Sequence, residues 1–190
     1  MNIEAADKVG FIPLKLNEVK IDGWMKKQIE RDITSGYISV YTDLQPTMQS
    51  NTFGPKKTKN YFIDKDGNWE TRRSTWWPGE HEGYYAEIAV RNGFLTGNKD
   101  WIEKARNILD YVIENQDKSG YIGIYDEECR LDNLLNENGE LWTQSRMMAA
   151  LLAFYEYTGE KKYFDAAKRA VDYTLSLIHI SEPTRPEPIS

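Results

Sequence analysis

The segment from Gly97 to Ile113, GNKDWIEKARNILDYVI, and the segment from Gly159 to Leu175, GEKKYFDAAKRAVDYTL, align without a gap at an offset of 62 residues. Trp101 falls on Tyr163, Ile102 on Phe164, Ala105 on Ala167, Leu109 on Val171, and Asp110-Tyr111 on Asp172-Tyr173. Counted from Trp101, the apolar positions recur at i, i+1, i+4, i+7, i+8, i+11 and i+12, which is one face of a helix. The intervening residues are Lys, Glu, Arg, Asn and Asp. Each segment is therefore read as an amphipathic helix with one wet side.

Upstream of each stands a second helix that ends in a glycine, FLTG before the first and YEYTG before the second. Glycine at that place permits the left-handed backbone that closes many helices. The first upstream helix covers Gly83–Leu95; the second, Glu140–Tyr157, contains MMAALLAFY and is apolar nearly all round. Such a helix is expected to be buried on most sides. The repeating unit is thus a buried helix, a tight Gly turn, a half-wet helix and a long return loop. It exceeds the ~34-residue tetratricopeptide and ~45-residue HEAT units. It suits an all-α toroid, in which roughly six hairpins close a ring and long loops build a site at one end. Two clear hairpins and an opening helix at Gly23–Thr34 make up an incomplete ring. Between them Gln45–Thr75 is polar and irregular. It includes a short β-hairpin at YFIDKDGNWE, where Asp66-Gly67 signals the turn. Tyr121–Tyr125, YIGIY, reads as a short strand or an extended loop.

The net charge of −6 and the lack of a basic stripe argue against nucleic acid as a partner. No run approaches the ~20 apolar residues that span a membrane. A single cysteine, Cys129, excludes an internal disulfide framework and a Cys-rich metal site. It lies among acids (DEECRLD), which disfavour the thiolate, so it is not read as a nucleophile. The opening MNIEAADKVGFIPL lacks a signal-peptide pattern, which makes the cytoplasm the default location. A leader upstream of it would make the protein secreted or periplasmic. After Ser176 the helical pattern gives way to LIHISEPTRPEPIS, with three closely spaced prolines. Residues 1–176 are accordingly read as one part of a barrel domain. Residues 177–190 are read as a discordant Pro-rich tail that resembles translated sequencing-adapter read-through, an artefact; a natural Pro-rich terminus is the alternative.

Candidate chemistry gathers at the starts of the two buried helices. Trp76-Trp77-Pro78-Gly79-Glu80-His81 opens one, and Asn138-Gly139-Glu140-Leu141-Trp142 opens the other. A carboxylate in the first helical turn is favoured by the helix dipole whatever its function. Two matched Gly-Glu starts with tryptophan nearby also suit a sugar pocket, where carboxylates bond hydroxyls and flat rings stack on C–H faces. The candidate substrate-binding residues are Trp76, Trp77, Glu80, His81, Tyr84, Tyr85, Tyr121, Glu140, Trp142, Gln144 and Arg146. Arg146 stands amid apolar neighbours and therefore needs a carboxylate partner or a ligand. His81 beside acids is no metal site, because zinc wants about four converging ligands. Glycoside hydrolysis usually uses two opposed carboxylates, for which Glu80 and Glu140 are formal candidates.

Laid out in order, VKIDGWMKKQIERD, WWPGEHEGYYAEIAVRNGFLTGN, QDKSGYIGIY and NGELWTQSRMMAALLAFYEYTGEKKYFDAAKRAVDY resemble glycoside hydrolase family 127, the β-L-arabinofuranosidase-like proteins, from about Phe11 to Leu175. The resemblance implies an (α/α)6 catalytic barrel, a retaining glycosidase and a carbohydrate substrate at the non-reducing end of a glycan. It also implies a zinc-bound cysteine nucleophile with a glutamate acid/base, both from later hairpins, so zinc belongs to the full-length parent and the catalytic residues are expected downstream. The 190-residue chain alone is accordingly expected to be inactive. Pocket lining carries over to Trp77, Glu80, His81, Tyr85, Glu140, Trp142 and Gln144. Some relatives have a Gly-His pair where this sequence has Ser145-Arg146. The alternatives are another (α/α)6 sugar enzyme, such as an unsaturated uronyl hydrolase, a lyase or an epimerase, and a non-catalytic helical-repeat binding scaffold.

Overall fold

A computed structural model describes residues 12, 14–44, 53–55, 57, 77–127, 130 and 139–177, and the backbone alone at 61–63, 69–71 and 178–180. After a 3-10 turn at Leu16–Glu18, the described elements run α1 (Gly23–Thr34), α2 (Tyr37–Leu44), β1 (Tyr61–Ile63), β2 (Trp69–Thr71), α3 (Trp77–Thr96), α4 (Lys99–Glu114), α5 (Glu140–Thr158) and α6 (Lys161–Ile180). The expected helices are all present, and both hairpins turn on the expected glycines. Gly97 and Gly159 adopt φ of 70° and 73°, the left-handed region that a residue with a Cβ occupies only at a cost. Asn98 then caps α4 by accepting a hydrogen bond from the Trp101 N–H at 3.2 Å. The β-hairpin is antiparallel, with Tyr61 opposite Thr71 and Ile63 opposite Trp69. Its turn at Asp66-Gly67 lies outside the described residues.

Tyr37–Leu44 forms a helix that periodicity alone does not flag. YISVYT is rich in aromatic and β-branched residues, which locally favour strands. Tertiary contact overrides that preference, as the Tyr41 ring stacks on buried Tyr85 of α3 at 5.8 Å and 20°. Tyr121–Tyr125 is an extended loop with a single bridge residue, not a strand. Helix α6 continues to Ile180, past Ser176. Among the described residues no helix is long and apolar enough to cross a membrane.

Helices α3 and α5 form the inner layer, and α4 and α6 lie outside them. The two inner helices run parallel and in register. Glu80 meets Trp142, Gly83 lies against Arg146 and Met147, and Phe94 stacks on Tyr157 at 4.3 Å. Their closeness has a steric cause. A Cβ added at Gly83 would fall 2.7 Å from Arg146 Cβ and 3.1 Å from the Met147 nitrogen, and one at Gly79 would fall 2.5 Å from Thr143 Cγ2. Ala86, Ala89, Val90, Ala150, Leu151 and Phe154 fill the remaining interior. The outer helices meet it through Ala105, Leu109, Tyr163, Ala166 and Ala170.

The outer pair is joined by polar contacts. Arg106 grips Glu160 with both terminal nitrogens, at 2.8 and 2.7 Å. Tyr163 donates to Asp110 at 2.8 Å, and Lys162 pairs with the same carboxylate oxygen. The bidentate Arg106 fork holds the Glu160 carboxyl below its usual pKa. Helix α5 is less enclosed than its composition suggests. Glu140, Thr143, Gln144, Met147, Leu151 and Phe154 are buried, but Leu141, Trp142 and Leu152 are exposed.

Because the contact facing Gly83 is backbone and Cβ, it cannot swing aside. Gly83→Val is expected to destabilise the fold by about 1–3 kcal/mol, the usual cost of overpacking a filled interior. Urea titration followed by circular dichroism checks this; an unchanged midpoint would show that α3 and α5 have room to separate.

Candidate functional site

The two helix starts singled out in the sequence meet at one end of the inner pair. Trp142 donates its indole N–H to Glu80 Oε1 at 2.8 Å, across 62 residues of chain. Glu80, in the first turn of α3, and Trp142, in the first turn of α5, are thus brought side by side by the parallel packing. Around them lie Trp77 and His81, ring centroids 6.5 Å apart, and Tyr84. The Arg146 guanidinium lies 4.7 Å from the Trp142 ring and 5.4 Å from the Tyr84 ring. Trp77, Glu80, His81 and Tyr84 recur at i, i+3, i+4 and i+7, so they share one face of α3. Trp142 and Arg146, spaced i and i+4, share the adjoining face of α5. This face is open, with Trp77 and Trp142 exposed by 51% and 46%.

Of the other expected residues, Tyr121, Glu140 and Gln144 lie beneath it, whereas Tyr85 is packed on another side of α3 against Tyr41 and Trp101; each is no more than 2% exposed. Glu140 and Tyr121 are bonded through their side chains. Burial first, then the adjacent Glu140 carboxylate, pushes the Tyr121 phenol well above its usual pKa. Tyr121 also accepts the Tyr125 backbone N–H at 3.3 Å, which curls the loop around it. Neither amide atom of Gln144, nor the Tyr85 hydroxyl, has a hydrogen-bond partner among the described residues. Candidate residues therefore divide into an exposed set and a buried polar layer. Trp76 lies outside the described residues, as does Cys129.

Arg130 and Lys57 complete this end, and neither was singled out beforehand. Arg130 pairs with Asp117 at 3.0 Å, lies 4.1 Å from the Tyr121 ring and donates to the Tyr125 carbonyl at 3.3 Å. Lys57 donates to the carbonyls of Phe53 and Gly123 at 3.2 and 2.8 Å. Burial is the main reason its ammonium is held down to a pKa of about 8. Both residues pin the Tyr121–Tyr125 loop, Arg130 from just past its end and Lys57 from a position distant in sequence. A separate cavity of about 460 Å³ opens between α3 and α4. Its lining includes Tyr85, Glu82, Lys104 and Tyr111, and it is away from the Glu80–Trp142 contact.

Among the described residues no three His, Cys, Asp or Glu side chains converge as a metal ion would need. They do not fit the zinc site that the family resemblance implies.

Parallel inner helices with an outer pair packed against them form two consecutive helical hairpins, with acids and aromatics gathered where the inner helices begin. The family model described as β-L-arabinofuranosidase, GH127 catalytic domain, matches residues 19–187. The chain belongs to that family of glycoside hydrolases, whose catalytic domain is an (α/α)6 barrel and whose substrates are carbohydrates. The match reaches into the Pro-rich segment after Ser176. Neither the curated proteins nor the solved structures contain a match to the chain.

The Asp117 anchor carries a pH signature. Its carboxyl is held at about 2, against an ordinary 3.8, by the Ser119 N–H and hydroxyl and by Arg130, with burial opposing. A carboxyl depressed in the folded state stabilises only while ionised, so its contribution is complete above roughly pH 4 and fades as pH falls towards 2. Melting wild type and Asp117→Asn side by side should show a gap at neutral pH that closes in acid. A constant gap would mean that the carboxylate charge is not what anchors the loop.

Proposed function

We propose that the open face of α3 and α5 is the carbohydrate-binding part of a β-L-arabinofuranosidase-like glycosidase that removes sugars from the non-reducing ends of glycans. Trp77, Tyr84 and Trp142 offer ring faces, and Glu80, His81 and Arg146 offer polar groups. Trp76, adjoining Trp77 in sequence, is assigned to the same lining. The buried Tyr121, Glu140 and Gln144 support this floor from below, and Tyr85 fixes α3 from its other side through Tyr41 and Trp101. The carrying observation is the Trp142–Glu80 hydrogen bond, which unites the two matched helix starts in one place. It fixes the Glu80 carboxylate with one oxygen on the indole, so the other is available to a sugar hydroxyl.

Retaining hydrolysis by a pair of carboxyl groups places them on either side of the scissile bond, about 5–5.5 Å apart. Glu80 is half-exposed on the open face, whereas Glu140 is 1% exposed beneath it and bonded to Tyr121. Such a pair does not share an open space in which a glycosidic bond can lie. Glu80 is therefore assigned to hydroxyl recognition, and the catalytic pair to other residues of the family's barrel. A polar network under an aromatic floor suits precise positioning, because its members have little freedom to move.

Binding is measured directly by calorimetry or ligand-observed NMR with a methyl β-L-arabinofuranoside. Trp142→Ala and Glu80→Gln are each expected to weaken it by about tenfold or more, equivalent to ~1.4 kcal/mol. Unchanged affinity in both variants would remove the open face from the site. The purified chain is expected to bind aryl arabinofuranosides without cleaving them; release of the aryl alcohol would place catalysis within these residues.

A further inference from the structure

We infer that the sugar recognised at this face carries a carboxylate, and that Arg146 is the residue that reads it. The inference rests on the open α3–α5 face being the sugar site. Arg146 is half-buried, with its guanidinium above the rings of Trp142 and Tyr84. Its Nε donates weakly to Ser145 Oγ at 3.4 Å. Among the described residues it forms no ion pair, and its two terminal nitrogens form no hydrogen bond. Glu80, the acid on the same face, is bonded to the Trp142 indole.

A guanidinium in this position is costly unless its charge is answered. Stacking on aromatic faces compensates part of the lost hydration and leaves the N–H edge without a protein acceptor among the described residues. That edge is a planar fork whose spacing matches a carboxylate with two parallel hydrogen bonds. Neutral hydroxyls need no such group and are served by Glu80 and His81 nearby. The aromatic contacts also hold the plane of the fork, so less freedom is lost when an anion docks. The N-termini of α3 and α5 open at this same end, and their partial positive charges add to the field. Glu80 opposes that field, but its carboxylate is fixed on Trp142 and is not paired with Arg146. A uronic acid residue, with its ring on Trp142 and its carboxylate on the Arg146 edge, gives the two terminal nitrogens of that fork their acceptors. On this inference the substrate class is the acidic glycans.

Three probes test this on the full chain: a methyl β-L-arabinofuranoside, a digalacturonate and its uncharged dimethyl ester. Digalacturonate is expected to bind at least about tenfold more tightly than the ester at low salt, an advantage that shrinks as salt screens the charge. Arg146→Gln should abolish that preference, weakening digalacturonate about tenfold more than it weakens the ester or the arabinofuranoside. Arg146→Lys, which keeps the charge but loses the fork, should retain only part of it; thermal melts confirm that both variants fold. Equal binding of acid and ester, or equal weakening of all three probes by Arg146→Gln, overturns the inference. If Trp142→Ala still abolishes arabinofuranoside binding in that case, the site itself stands and only the acidic preference falls. If no probe binds the folded chain, the site and the preference fall together.

Discussion

The close parallel contact of α3 with α5 is the constraint on which the rest of the architecture depends. Two helices can share a long seam only where side chains at the seam are small or interdigitate. Gly79 and Gly83 remove the obstruction at one end, alanines line the middle, and Phe94 and Tyr157 stack at the far end. Once the helices are in register, residues about one repeat apart in sequence become neighbours. Trp142 then reaches Glu80 without any further device.

Function and stability draw on opposite sides of the same two helices. The side facing the outer layer is largely apolar, as at Phe154 between Phe94 and Tyr163. The side at the helix starts holds groups whose bonding capacity is incompletely used, including Gln144 and the Arg146 fork. Buried polar groups without partners cost roughly 1–3 kcal/mol each. Their concentration at one end is what a site held ready for a polar ligand looks like. The outer helices and the Tyr121–Tyr125 loop supply the offsetting rigidity through Arg106–Glu160, Arg130–Asp117 and Lys57.

Much of this organisation is legible in the chain. The 62-residue repeat carries the hairpins, because amphipathic periodicity and a terminal glycine are local consequences of helical geometry. Helix α2 escapes such reading, since its aromatic and β-branched residues favour a strand until Tyr85 supplies a stacking surface. The opening of α5 to solvent at Leu141, Trp142 and Leu152 also escapes it, because composition records how apolar a helix is and not which neighbours cover it.

The sequence by itself determined the helix types, their order, the β-hairpin and the two acidic, aromatic helix starts. These depend on side-chain spacing along one element and on backbone preferences at single residues. Only the tertiary structure decided which candidate residues face outward together and which lie beneath them. Tyr84 and Tyr85 adjoin in sequence, yet one flanks Arg146 at the open face and the other is packed inside. A rotation of about 100° per residue around α3 separates them, and the direction in which that helix turns is set by its seam with α5. Lys57 belongs to the same category, since Gly123 is brought within its reach only by long-range folding.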